Sequence, residues 1–196
     1  LSSHLTVYGD RGAFDADNPG LPTEDFEAGN VAPSSFSECS GPIDENTNNS
    51  CFSPGDILAG VQFADAPGPG ADDMVLLGTG ANGNPSKSLI SDTFLDSFVI
   101  SFTTTVNAVG MDLQSHFAGS TVEIAVYEAD NTTVMTTTTA SATNAGAFWG
   151  LRSADPIGRV VITSTTDQAE GVDNISFGEA ELTGCDAPQD LSLIHI

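Results

Sequence analysis

Apolar and polar residues alternate in short runs along most of the chain, a pattern that predicts β-strands rather than helices. The clearest run extends from Thr121 to Tyr127, where Val122, Ile124 and Val126 alternate with polar or small residues. Such alternation is typical of an antiparallel strand with one buried and one solvated face. Further strands are predicted at 24–27, 57–63, 74–77, 98–102, 106–113, 132–139, 147–151, 157–163 and 172–177.

One short helix is predicted near the N-terminus. Asp10 can cap a helix from Arg11 to about Asp17, because a carboxylate at this position accepts a hydrogen bond from a free backbone N–H of the first turn. The segment 28–54 has no regular period and is predicted to be a loop. Many short strands and one short helix predict an all-β fold, an antiparallel, jelly-roll-like β-sandwich.

The same pattern divides the chain into four parts. We expect an N-terminal strand and helix segment over 1–22, the β-sandwich domain over 23–180 and a linker over 181–190. The last six residues, 191–196, form an abrupt apolar stretch and resemble the in-frame translation of a sequencing adapter. We therefore expect them to lie outside the fold and assign no role to His195.

Acidic residues greatly outnumber basic ones, and this imbalance excludes some classes of binding partner. The 196 residues include 27 Asp and Glu but only four Lys and Arg, which gives a formal net charge of −23. Most carboxylates therefore lack an ion-pair partner, and high salt or divalent cations would relieve their repulsion. A chain without a basic patch is not expected to bind nucleic acid or anionic membranes. No apolar run reaches the length of a membrane span, and no signal peptide is visible.

The three cysteines predict one disulfide. Cys39 and Cys51 flank a polar loop, and in an exported chain this spacing suits a loop-closing disulfide. A zinc site would need further Cys or His residues nearby, and the sequence has none there. Cys185 is left over, either as a free thiol or with a partner beyond this sequence.

Two carboxylates near the ends of the predicted sandwich form a candidate metal site. Glu27 lies on the first predicted core strand and Asp173 on the last, and these strands are often neighbours in antiparallel sandwiches. With so few basic residues, their pKa values are expected to rise, or a metal ion is expected to neutralise them. Ligands that are all oxygen predict a structural Ca²⁺. The alternative is a pair of solvated carboxylates in turns.

Three segments also carry a resemblance to a known family: Asp25-Phe26-Glu27, the segment 148–157 with Phe148-Trp149-Gly150-Leu151, and 172–178. Together they resemble the exported β-sandwich domains of bacterial PEP-CTERM-sorted surface proteins, over about residues 7–179. More loosely, they are similar to MAM domains and to calcium-bearing carbohydrate-binding modules. The resemblance implies a jelly-roll sandwich, often with a calcium ion that joins the first and last strands, and by position it implicates only Glu27 and Asp173.

The candidate ligand-binding residues are aromatic. Trp149 and Tyr127 would stack on sugar rings if they were exposed, whereas a core position is the alternative for Trp149. Neither Gly-x-Ser-x-Gly nor His-Glu-x-x-His occurs, so we do not expect an enzyme. We expect a secreted or cell-surface module that binds carbohydrate or another extracellular polymer and holds a structural Ca²⁺.

Two alternatives to this function stay open. The Thr-rich run 136–139 predicts an edge strand with a hydroxyl-covered face, although an O-glycosylated stalk has a similar composition. Such an edge strand can pair with a second copy, which would suit a structural surface-layer, matrix or filament subunit. The second alternative is a polysaccharide-active enzyme, because a chain this rich in carboxylates readily places two of them at a catalytic distance.

Overall fold

The computed structural model describes residues 4–66, 73–92, 96–116, 119–166 and 170–181. They form two antiparallel β-sheets packed face to face, with one short helix, so the predicted all-β sandwich is confirmed. In chain order the elements are β1 (Leu5–Tyr8), α1 (Arg11–Asp17), β2 (Thr23–Glu24), β3 (Phe36–Ser40), β4 (Val61–Asp65), β5 (Asp73–Leu77), β6 (Ser88–Ser91), β7 (Phe98–Phe102), β8 (Ala108–Ser115), β9 (Ser120–Glu128), β10 (Val134–Ala142), β11 (Ala147–Ser153), β12 (Ile157–Ser164) and β13 (Glu170–Gly178).

The two sheets differ in size and share one apolar core. The larger sheet has eight strands in the order β1-β11-β8-β13-β6-β5-β3, and β2 pairs with β13 beside this path. The smaller sheet has five strands in the order β10-β9-β12-β7-β4. In β9 the alternation read from the sequence is confirmed, because Val122, Ile124 and Val126 are fully buried while Thr121 and Glu123 are exposed. The core lies between the sheets, where such alternating side chains meet.

Local signals at the N-terminus are also confirmed. Asp10 caps α1, and its carboxylate accepts a hydrogen bond of 2.9 Å from the backbone N–H of Ala13.

The predicted disulfide is confirmed as well. Cys39 and Cys51 form a disulfide between β3 and the loop that follows it, and both residues are buried. Cys185 and the residues from 182 to 196 lie outside the described residues.

The predicted strand at 24–27 is wrong over most of its length. β2 ends at Glu24, and Phe26 has a φ of 55°, in the left-handed region that a strand does not use. The Glu24 carboxylate causes the turn, since it accepts hydrogen bonds of 2.8 Å from the backbone N–H groups of Phe26 and Leu58. Phe26 is nevertheless fully buried. Its apolar character therefore marks a core position rather than a strand.

Other strand predictions failed at the borders of the sandwich. The predicted loop 28–54 contains β3, a polar strand at the edge of the larger sheet, where solvent on one side removes the need for apolar residues. The strand expected over 57–63 begins only at Val61, because Gly60 turns the chain with a φ of 94°. The run at 88–91 was not predicted, although it forms β6.

The Thr-rich strand lies at a sheet edge, as the sequence predicts. β10 pairs only with β9 among the described strands, and most of its side chains are exposed or half-buried.

No helix in the described part of the chain is long and apolar enough to cross a membrane.

A small second core seats α1 on the outer face of the larger sheet. Phe14 is fully buried there against Tyr8, at a ring-centroid distance of 5.4 Å. Gly110 and Gly150 lie opposite each other on β8 and β11, and a Cβ atom on either would come within 2.9 Å of the Phe14 ring. The two glycines therefore make the space that fixes the helix on the sheet.

We expect Gly150→Ala to lower the free energy of unfolding by about 1–3 kcal/mol, because the added methyl group overpacks the seat of Phe14. Gly9→Ala is the matched control, since a Cβ atom there meets nothing within 4 Å. It should change stability by no more than about 0.5 kcal/mol. Urea unfolding of both variants measures the difference, and equal stability of the two would refute this account of helix docking.

Candidate functional site

Glu27 and Asp173, the two predicted metal ligands, lie close enough for the charge of Glu27 to affect the pKa of Asp173. Burial raises the pKa of Asp173 to about 6, and the negative charges of Asp112 and Glu27 add to the rise. Hydrogen bonds oppose it, from the Ser86 hydroxyl to Oδ2 of Asp173 and from the backbone N–H of Asn174 to Oδ1.

Protein donors already occupy most of the oxygens at this pair. Oε1 of Glu27 accepts a hydrogen bond of 2.8 Å from the backbone N–H of Lys87. The Lys87 ammonium also brings positive charge to this loop, at 2.8 Å from the main-chain oxygens of both Glu27 and Gly29. Three of the four carboxylate oxygens of Glu27 and Asp173 thus have donors. The Ca²⁺ site predicted at Glu27 and Asp173 stays a prediction.

The predicted aromatic platform is not available at Trp149. Its side chain is only 3% exposed, and its indole N–H donates a 3.2 Å hydrogen bond to the Thr138 hydroxyl. Trp149 is thus a core residue, the alternative that its apolar surroundings left open. Tyr127 is half-buried, and the Arg159 guanidinium lies over its ring at 4.0 Å from the centroid, so one ring face is covered.

A polar cleft of about 490 Å³ lies beside α1, on the outer face of the larger sheet. The helix forms one wall, and β2, β8 and β13 contribute the others. Its lining residues are Arg11, Asp15, Asn18, Gly20, Leu21, Thr23, Asp112, Asn174 and Ser176. The cleft is therefore rich in hydrogen-bonding groups that point away from the main core.

Arg11 organises this cleft. Its guanidinium donates hydrogen bonds to the main-chain oxygen of Asn174 at 2.7 Å and to Oδ1 of Asp112 at 3.1 Å. It also lies over the Phe148 ring, 4.7 Å from the centroid. Asn174 has a φ of 48° at a bulge in β13, a conformation that asparagine tolerates. Its side-chain amide donates a 3.0 Å hydrogen bond to Oδ2 of Asp112, so the carboxylate is held from two sides.

A group of buried carboxylates lies at one end of the sandwich. We call Asp65, Asp92, Asp96 and Glu170 the acidic cluster. Single carboxylate oxygens of its three aspartates lie within 4.8 Å of one another, the only such group of three possible metal ligands among the described residues. Asp65 ends β4 and Asp96 precedes β7 in the smaller sheet, whereas Asp92 follows β6 and Glu170 begins β13 in the larger one. The cluster thus joins the two sheets.

Burial strongly affects the protonation of this cluster. It raises the pKa of Asp65 to about 8, and the charges of Asp92 and Asp96 add to the rise. It also raises the pKa of Glu170 to about 8, with further contributions from the charges of Asp65 and Asp96. The nearby backbone N–H groups of Ser164 and Glu170 oppose that second rise.

Little in the sequence indicated the acidic cluster, because Asp65 and Glu170 lie far from Asp92 and Asp96 in the chain and the protein has many other acidic residues. Glu170 does sit beside a buried strand residue, Gly171, as Asp173 sits beside Val172. No protein-family model matches the chain, and no curated protein matches it. A function has to be inferred from the cleft and the cluster themselves.

Without metal ions, we expect stability to fall as the pH rises from about 5 to 8. The folded protein holds protons on Asp65 and Glu170, with pKa values of about 8, whereas these carboxyls ionise near 3.8 and 4.5 in the unfolded chain. The unfolded state therefore binds fewer protons in this window, and deprotonation on the way up to pH 8 favours unfolding. Urea unfolding with a chelator at several pH values measures the loss.

The variant Glu170→Gln separates this effect from the general repulsion between surface carboxylates. It should reduce the difference in unfolding free energy between pH 5 and 8 by about 2 kcal/mol or more, since one pKa unit corresponds to about 1.4 kcal/mol. Glu123→Gln removes an exposed carboxylate on β9 and serves as the control. If both variants keep the full pH dependence, the cluster does not titrate as described.

Proposed function

We propose that this chain is an extracellular, non-catalytic module that binds a neutral carbohydrate in the polar cleft beside α1. The observation that carries the proposal is the set of fixed donors and acceptors around Arg11. A ligand there would meet groups that are already ordered by the protein, which reduces the entropy lost on binding.

The charges of the cleft select the class of ligand. Asp15 and Asp112 line it, and the whole chain carries a formal charge of −23, so anionic ligands are repelled. The positive charge of Arg11, which also lines the cleft, disfavours cations. A sugar hydroxyl is neutral and both donates and accepts hydrogen bonds, so it can pair with guanidinium, amide and carboxylate groups in one site.

The disulfide supports the extracellular part of the proposal. Disulfides persist in oxidising compartments and are rare in the cytosol. The bond between Cys39 and Cys51 is buried in the larger sheet, where it belongs to the folded core rather than to an exposed redox site. The high acidity suits the same location, because salt and divalent cations outside cells screen or bind the excess carboxylates.

The structural-subunit alternative rests on a different observation. β10 spans nine residues, from Val134 to Ala142, and none of its side chains carries a charge. It lies at an edge of the smaller sheet, so a second copy could pair with it by strand addition.

The cleft is tested by binding to an array of neutral glucans, mannans and galactans, followed by calorimetry on the best of them. We expect Arg11→Lys to weaken binding by at least about tenfold, because the ammonium keeps the charge but loses the planar fork of donors. Asp15→Asn should weaken it as well. Glu123→Gln, on the outer face of the smaller sheet, should bind like the unmodified protein.

Three outcomes would contradict the proposal. Binding that survives both cleft variants would place the ligand elsewhere. Turnover of a bound glycan would make the protein a polysaccharide-active enzyme. The absence of binding, together with concentration-dependent assembly in sedimentation experiments, would favour the structural subunit.

A further inference from the structure

We propose that the acidic cluster is a Ca²⁺ site that ties the two sheets together at one end of the sandwich. The site is separate from the carbohydrate cleft and does not depend on it. It is also distinct from Glu27 and Asp173, where the sequence predicted the ion.

The first argument is that the cluster contains buried oxygens without donors. Asp96 is 3% exposed and Glu170 is 1% exposed, and among the described residues neither oxygen of either carboxylate has a hydrogen-bond partner. Oδ1 of Asp65 and Oδ1 of Asp92 are likewise buried without partners there. An ionised carboxylate in such a place costs several kcal/mol unless an opposite charge faces it.

The second argument is that the protein's own basic side chains are engaged elsewhere. The sequence has four Lys and Arg residues, and all four are described. Arg11 pairs with Asp112, and the Lys87 ammonium binds main-chain oxygens in the loop of Glu27. Arg152 donates to the main-chain oxygen of Glu181, and Arg159 lies over the Tyr127 ring. None of these contacts lies at the cluster, so a counter-charge from outside the chain would neutralise carboxylates that no Lys or Arg contact described here reaches.

The third argument concerns the identity of the ion. The grouped ligand atoms of Asp65, Asp92 and Asp96 are all carboxylate oxygens, the ligands of hard cations. Two oxygens on opposite sides of Ca²⁺ are about 4.6–5.2 Å apart, since each Ca–O distance is about 2.3–2.6 Å. The aspartate oxygens, within 4.8 Å of one another, fit around one such ion. Mg²⁺ needs shorter distances and a stricter octahedron, so it should bind less well.

The position of the cluster gives the ion a structural role. It would hold Asp65 and Asp96 at the ends of β4 and β7 against Asp92 and Glu170 at the ends of β6 and β13. The two groups of strands belong to different sheets, which are otherwise joined by core packing and connecting loops. An ion that binds only the folded arrangement stabilises the fold in proportion to the logarithm of its concentration.

The test begins with protein stripped by a chelator and transferred to metal-free buffer at constant ionic strength. We expect calorimetry with CaCl₂ to show one site per chain, and saturating Ca²⁺ to raise the melting temperature by about 5–10 °C. MgCl₂ should have a clearly smaller effect, and NaCl at equal ionic strength should not reproduce the shift. Luminescence of bound Tb³⁺, displaced by Ca²⁺, gives a readout that is independent of stability.

The variants Asp96→Asn and Asp173→Asn locate the ion. Asp96→Asn should weaken Ca²⁺ binding at least tenfold and should leave the metal-free protein as stable as before, or more so, because it removes a buried charge. Asp173→Asn should leave Ca²⁺ affinity unchanged. Glu170→Gln provides a second cluster variant in case Asp96→Asn does not fold.

The proposal is overturned if no stoichiometric Ca²⁺ binding occurs, which would mean that protons alone neutralise the cluster. It is also overturned if Asp173→Asn removes binding while Asp96→Asn does not, since the ion would then lie at the site predicted from the sequence. A shift that Mg²⁺ and NaCl reproduce equally would show general screening of charge. None of these results affects the carbohydrate proposal, whose variants lie in the cleft.

Discussion

The shortage of positive charge is the constraint on which much of this structure depends. With 27 carboxylates and four basic side chains, ion pairs cannot neutralise the acidic residues, and the backbone supplies donors instead. Glu24 takes two N–H groups and thereby sets the turn that buries Phe26. Asp130 accepts from the N–H groups of Thr132 and Thr133 in the β9–β10 hairpin. Such carboxylates fix the conformation of loops. In the acidic cluster, by contrast, several buried carboxylate oxygens have no hydrogen-bond partner among the described residues.

In the cleft, a single basic side chain, Arg11, connects the helix to the larger sheet. Phe14, seated on paired glycines, fixes α1 on the larger sheet, and the first helical residue, Arg11, then reaches the bulge of β13. Asp112 and Asn174 complete the arrangement through the guanidinium and through each other. A small apolar contact on the outer face thus positions a polar site.

The fold was more predictable from the sequence than the sites were. Alternation in β9, the Asp10 cap and the cysteine spacing are local signals, and local geometry satisfies each of them. Phe26 and Trp149 show the limit of that approach. An apolar residue marks burial, but it does not say whether the backbone is extended or which face is open. The acidic cluster could not be predicted from local patterns, because its members lie at or near the ends of four strands from two different sheets.

The uncharged edge of β10 has a consequence for the behaviour of the protein in solution. Many exposed edge strands carry lysines or prolines that discourage pairing with another chain, and the strand from Val134 to Ala142 has neither. The net negative charge of the whole chain repels other copies, although the strand itself carries no charge. That protection weakens in acid or in concentrated salt. The acidity that is costly inside the fold thus opposes association outside it.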